Sequence, residues 1–238
     1  GITDRFEEET STAIEIGTRG TVFDGSVSLE AAYFRTEVDD MQFFEFLVGP
    51  FGLLRVVSNI DEVTIDGFEA AVSWDASDRW SFYAAGSIVD SEIDKNTPRP
   101  DTVGNKSPYT PDWTANLGAQ LTVPFASDWT FISNLDINMI GDTWFQTIQD
   151  EPRPNLFGGI FNAPFPSDMS LAQRDAYTLV NLRAGVENEN LRITLFADNL
   201  FNEKYIEEVI PAPEFGGSFI SPGTSYERTA GIEAILSF

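Results

Sequence analysis

The chain has 238 residues, 42% of them hydrophobic, and its 38 acidic against 14 basic side chains give a formal charge of −24. That balance argues against nucleic acid as a partner, because a polyanion would be repelled. With no cysteine and no histidine, disulfides, an ordinary zinc site and any Ser-His-Asp or Cys-His nucleophile are excluded.

No run of 18 or more apolar residues occurs, so a transmembrane helix is excluded. A mean hydropathy of −0.14 suits strands that hide one residue in two. Gly1-Ile-Thr-Asp-Arg5 is not a basic segment leading into an apolar run, so no signal peptide is read and the chain is expected to begin inside a longer protein.

Nine segments read as strands in chain order. The first, 11–19, is short, with Ile14 and Ile16 opposing Glu15 and Gly17. Segments 25–38, 55–74 and 80–93 alternate less cleanly. In 112–123, Trp113, Ala115, Leu117, Ala119, Leu121 and Val123 share one face, while Thr114, Asn116, Gly118, Gln120 and Thr122 share the other. Segment 128–145 repeats this with Trp129, Phe131, Leu135, Ile137 and Met139 against Thr130, Asn134, Asp136 and Asn138. In 177–187, Val180, Leu182, Ala184 and Val186 oppose Asn181, Arg183 and Glu187; in 191–201, Leu191, Ile193, Leu195 and Ala197 oppose Arg192, Thr194 and Asp198. The ninth, 224–238, ends inside a half-apolar run on Phe238, as outer-membrane barrels do. Period-two alternation is the mark of a strand with one apolar and one wet face.

The links between these strands alternate in length. Short ones fall near 20–24, 75–79, 124–127 and 188–190, and long ones near 39–54, 94–111, 146–176 and 208–223. Barrels of the outer membrane have short periplasmic turns and long extracellular loops. On that reading Phe238 lies at the periplasmic end. Trp74, Trp80, Phe125 and Trp129 cluster at the short turns, with Trp113 and Trp144-Phe145 at the opposite ends. Rings of this kind favour the membrane interface. The polar face, rich in Thr, Ser, Asn, Gln and Gly, suits a wet lumen.

Four stretches then carry a family resemblance. Asn199-Leu-Phe-Asn-Glu-Lys-Tyr205 resembles an "NLF(D/N)xxY" motif, and Pro222-Gly-Thr-Ser-Tyr-Glu-Arg228 resembles "PGxPRxY" with the central Pro-Arg replaced by Ser-Tyr. Ala32-Tyr-Phe-Arg-Thr-Glu-Val-Asp-Asp-Met41, followed by Ile65-Asp-Gly-Phe-Glu69, resembles a strand pair of the same family. Lys106-Ser-Pro-Tyr-Thr-Pro-Asp-Trp113, completed by Asn116, resembles its loop-to-strand junction. Over roughly residues 10–238 the chain resembles the C-terminal part of a TonB-dependent outer-membrane receptor.

The resemblance implies an all-β, antiparallel transmembrane barrel of about 22 strands around an N-terminal plug. Nine strands and no plug are expected in residues 1–238, with no helix beyond about two turns and no ladder between first and last strands. It implies uptake of a scarce nutrient, most often a ferric siderophore, less often cobalamin or carbohydrate, driven by the TonB complex through the plug. The expected partners are outer-membrane lipid, TonB and such a ligand. No cofactor and no catalytic or metal-binding residue is expected, and the ligand contacts stay unassigned. Two other readings remain open on the residues alone: a soluble β-sandwich binding module, such as a carbohydrate-binding domain, and a plain diffusion porin.

The remaining chemistry is thin. Asp39-Asp40, Asp150-Glu151 and Glu207-Glu208 are adjacent carboxylates, which point to opposite faces on a strand, so solvated charge is the expected role. Asp90, Glu92 and Asp94 have same-face spacing and could attract a cation at a loop base. Gly158-Gly159 and Gly216-Gly217 lack a phosphate-loop context. Phe157, Phe161 and Phe165, among Pro152, Pro154, Pro164 and Pro166, could meet a planar or sugar ligand or pack their own loop.

Overall fold

The computed structural model describes residues 5–49, 52–149, 153–154, 166–167, 170–209 and 227–237. Nine strands form one antiparallel sheet in sequence order: β1 (Thr10–Val22), β2 (Val27–Gly49), β3 (Gly52–Asp75), β4 (Trp80–Lys95), β5 (Trp113–Pro124), β6 (Thr130–Ile140), β7 (Tyr177–Glu187), β8 (Leu191–Asp198) and β9 (Thr229–Leu236). Each strand pairs with its neighbours in sequence, and among the described residues no ladder joins β1 to β9. The described helices are two single turns, Pro100–Thr102 and Ser170–Ala172.

Register converts the sequence alternation into two chemically different faces. One carries cross-strand rows such as Leu117–Ile137–Val180 and Ala119–Leu135–Leu182–Ala197–Ala230. The other carries Gly118–Asp136–Asn181 and Gln120–Asn134–Arg183–Phe196–Gly231. Among the described residues no layer packs on the apolar face. Ile16, Ile88, Leu195 and Ile232 are 57–73% exposed, and the other described pairings are two-residue ladders in the loops. A soluble sandwich needs a second sheet to cover such a face, so this architecture does not support that reading.

The apolar face is a band of membrane height. At the short-turn end, Trp74 and Trp80 both pack on Phe82, with ring centroids 5.7 and 5.6 Å apart. At the long-loop end, Tyr33, Phe68, Ile88 and Trp113 form one row. The stretch from Trp80 to Ile88 fits the ~9–11 residues that a tilted strand uses to cross a bilayer. Directly above it comes the charged row Arg35–Asp66–Asp90, with Arg35 bridged to Asp66 at 3.0 Å.

Several boundaries differ from the sequence reading. The expected loop at 39–54 is mostly strand, because β2 and β3 stay paired from Met41↔Ile60 to Gly49↔Gly52. The ladder keeps one register from Asp39↔Glu62 to Met41↔Ile60, although Asp40 between them adopts φ 56°. The bulge lies on the other side of β3, where Glu62↔Lys95 is followed by Val63↔Ile93 and Asp94 of β4 is the extra residue. β1 is longer than expected and paired throughout. β6 stops at Ile140, although the Gly141 amide still donates to the Trp113 carbonyl of β5. β8 stops at Asp198, where Asn199 turns the chain at φ 50°. The last strand is Thr229–Leu236; Phe238, with Pro222–Tyr226 of its motif, lies outside the described residues.

Candidate functional site

The polar face of the sheet is one candidate functional surface, and the long loops above it are the other. On the face, rings lie flat where the opposite residue is glycine. Phe34 covers Gly67, Tyr83 covers Gly118 and Phe196 covers Gly231. The Tyr83 hydroxyl thereby reaches across β5 to donate to Asp136 Oδ1 at 2.5 Å. Asn116 bonds to Asn138, Arg183 pairs with Asp198 at 3.3 Å, and Arg192 pairs with Glu187 at 2.6 Å. Around Gly17, Ala32, Ala71 and Ala85 the small side chains leave a concavity of about 620 Å³ bordered by Glu15, Arg19, Glu30 and Glu69.

Above the band, the loops build two small cores. Val38, Phe43, Ile60, Val63 and Ile93 bury one another where β2, β3 and β4 rise past the membrane. Phe145, Ile148, Ala172 and Val209 form the second. A chain of rings joins them. Phe43 stacks on Phe44 at 5.2 Å, both lie within 6.5 Å of Tyr109, and Tyr109 meets the edge of Phe145 at 5.4 Å. The Arg174 guanidinium lies 5.4 Å from Phe145 and 4.9 Å from Tyr177, which stacks on Tyr205 at 4.1 Å. Such contacts add about 0.5–1.5 kcal/mol each beyond their buried area.

Hydrogen bonds tie the same loops together. Asn105 Nδ2 donates to the Thr147 carbonyl at 2.9 Å, Gln149 Nε2 to the Lys106 carbonyl at 2.8 Å, and the Tyr109 amide to the Trp144 carbonyl at 2.7 Å. The Tyr109 hydroxyl reaches Glu208 at 3.3 Å. Below the β2–β3 ribbon, Asn59 Nδ2 donates to the Asp40 carbonyl at 2.6 Å while its Oδ1 accepts the Glu7 amide at 2.7 Å, which ties the backbone at Asp40 to the segment before β1. The described loops thus form one connected cap rather than separate arms.

Charge reinforces the cap at its base. Burial alone would lower the Lys106 ammonium, but its hydrogen bond to Asp90 at 2.7 Å and the nearby Asp112 outweigh that and hold it raised. Asp61 accepts the Thr97 amide, and that bond holds its carboxyl below the usual range. A depressed carboxylate contributes stability above its unfolded value and loses it as pH falls through the folded one. We therefore expect the Thr97 amide to lose protection from exchange below about pH 4, relative to its intrinsic rate. In Asp61→Asn that extra acid sensitivity should be gone.

The residues singled out from sequence fare unevenly. Asp39 pairs with Glu62, whereas Asp40 lies between that pair and Met41↔Ile60 at φ 56°. Asp90 is taken by Lys106, and Asp94 accepts a hydrogen bond from Thr64 at 2.6 Å. Among the described residues no group of three carboxylates is placed to hold a metal ion. Phe157, Phe161, Phe165, Asp150-Glu151, Gly158-Gly159 and Gly216-Gly217 lie outside the described residues. The sequence reading gave Trp144-Phe145 to the membrane interface, but Phe145 is buried in the cap. It did not single out Phe43, Phe44 or Tyr109; their concentration in long links beside prolines was the available signal.

Known proteins share this architecture. Residues 2–200 match the family model described as TonB dependent receptor-like, beta-barrel. The pesticin receptor of Yersinia enterocolitica is 27% identical over 233 residues, 98% of this chain and 30% of that receptor. The crystal structure of the ferric yersiniabactin uptake receptor FyuA from Yersinia pestis superposes with a TM-score of 0.69 at 21% identity, over 97% of this chain and 30% of that one. The siderophore receptor PiuA from Acinetobacter baumannii gives 0.61 at 20% identity, over 94% and 28%. The chain thus spans about 30% of the length of these relatives. With its lipid-height apolar band, its polar concave face and this match over most of its length, the chain belongs to the TonB-dependent receptor β-barrel family of the bacterial outer membrane.

Proposed function

We propose that residues 1–238 are the C-terminal part of the barrel of an outer-membrane receptor and active transporter for a scarce nutrient, a ferric siderophore. An N-terminal plug elsewhere in the polypeptide would couple it to TonB. The observation that carries this reading is the connected cap above a polar concave wall. A transporter that captures a dilute ligand needs a structured mouth, whereas a diffusion pore needs only an opening. The chain's small-residue concavity, aromatic chain and hydrogen-bonded loops supply such a mouth on one side of the lumen. The unpaired edges of β1 and β9 would pair with the remaining strands, because open edges in hydrocarbon cost several kcal/mol per unsatisfied group.

The test uses the full-length gene in cells lacking their own ferric-siderophore receptors. Uptake of iron-55 from a panel of ferric chelates should appear with the gene and vanish when TonB is deleted. Uptake that persists without TonB would identify a diffusion porin instead.

A further inference from the structure

We propose that the ligand drawn along this wall is a metal chelate of zero or positive net charge, and that the wall's own field disfavours anionic chelates. The inference rests on the transporter reading above and adds the charge class of its substrate.

Register assigns the charges to the lumen. Glu15, Glu30 and Glu69 lie on the polar face of β1, β2 and β3, in or beside the rows Gly17–Ala32–Glu69–Ser87 and Arg19–Glu30–Ala71–Ala85. None of these three glutamates forms an ion pair among the described residues, whereas Arg19 stands opposite Glu30 in register. Farther round the wall, Asp136 accepts from a neutral tyrosine and Glu233 stands opposite Thr194. Arg19 borders the concavity with the three glutamates, while four other cations of the wall and cap are held by partners. Arg183 is held by Asp198 and lies over the Phe196 ring, and Arg192 is held by Glu187. In the cap, Arg174 donates to the Ile206 carbonyl and Thr143 Oγ1 between two rings, and Lys106 bridges Asp90 and Asp112.

At the concavity an anionic chelate would therefore meet three carboxylates and a single guanidinium, a net negative field. A neutral or cationic one would be enriched, since a cleft lined by one sign of charge between low-dielectric walls focuses its field. The concavity that three of these glutamates border, about 620 Å³, is of the size that holds a small-molecule ligand. A spread of carboxylates over several strands selects by charge sign rather than by fixed coordination, which agrees with the lack of a metal cluster among the described residues.

The test uses the purified full-length receptor and three iron-55 probes: a ferric trihydroxamate with a pendant ammonium, its neutral N-acetyl form and a trianionic ferric triscatecholate. At about 0.01 M salt the first two should bind at least roughly tenfold tighter than the third, with the gap shrinking at about 1 M salt. The E15Q/E30Q/E69Q variant should narrow the gap and flatten its salt dependence. Equal or tighter binding of the trianion would overturn the proposal. A second measurement separates this from the transporter reading: paramagnetic broadening of the Ala71 and Ala85 amides by a cationic and an anionic nitroxide of equal size. Stronger broadening by the cation, with no chelate bound at all, would sink the ferric reading and uphold the charge assignment. Equal broadening by both would overturn the charge assignment itself.

Discussion

Replacing Gly185 by alanine is expected to destabilise the β7–β8 wall by roughly 3 kcal/mol. A Cβ at this position would lie 2.2 Å from the Ile193 carbonyl oxygen and 2.8 Å from the Thr194 Cα. Both are backbone atoms of the paired strand, so no side-chain rotation relieves the overlap. The strands would have to separate around Gly185↔Thr194, and the ladder bonds beside it would lengthen in a medium where water cannot replace them. Gly20→Ala is the control, because nothing lies within 4 Å of its would-be Cβ; its effect should stay within about 0.5 kcal/mol. Gly118→Ala should fall between the two. There the obstacle is the Tyr83 ring, which can swing away but gives up its 2.5 Å bond to Asp136. Urea titration of the refolded full-length receptor, read by its heat-dependent migration on gels, ranks the three. G185A matching G20A would mean that β7 and β8 do not approach as closely as this register requires.

The sheet was legible because alternation is a local property of the chain. Leu117, Gly118, Ala119 and Gln120 show the lipid and lumen faces without knowledge of any partner, and the short turns order the strands by joining neighbours. The β2–β3 extension was not legible. Met41–Val48 and Leu53–Ser58 alternate poorly, with adjacent apolar pairs at Phe43-Phe44, Leu53-Leu54 and Val56-Val57, so period two does not mark them as strand. The cap was legible only as composition. Phe43, Tyr109, Phe145 and Tyr205 come from four separate links, so their stacking depends on how the barrel rim brings those links together. No spacing within one link encodes it. Glycines under rings were hidden for the same reason: Gly118 reads as a weak spot in β5 until β4 places Tyr83 over it.

Leu117→Arg is expected to cost roughly 2–4 kcal/mol of stability in lipid, while Gln120→Arg on the same strand should cost no more than about 1 kcal/mol. Leu117 is 40% exposed on the apolar face, in the row Ala84–Leu117–Ile137, four residues from Trp113 at one end of β5 and seven from Pro124 at the other. The strand rises roughly 13 Å from Leu117 to Trp113, too far for a guanidinium to snorkel fully to the interface. Ile88→Arg sits in the rim row with Trp113 and is 69% exposed, so its charge reaches headgroups at little cost. The three variants therefore probe depth as well as face. If water rather than lipid bathed this side, removing an exposed leucine would be neutral or favourable, and L117R would be no worse than Q120R. Equilibrium unfolding of the three full-length variants from liposomes reads the difference directly. An order of cost other than L117R above I88R and Q120R would remove the lipid-facing assignment on which the orientation of the polar wall depends.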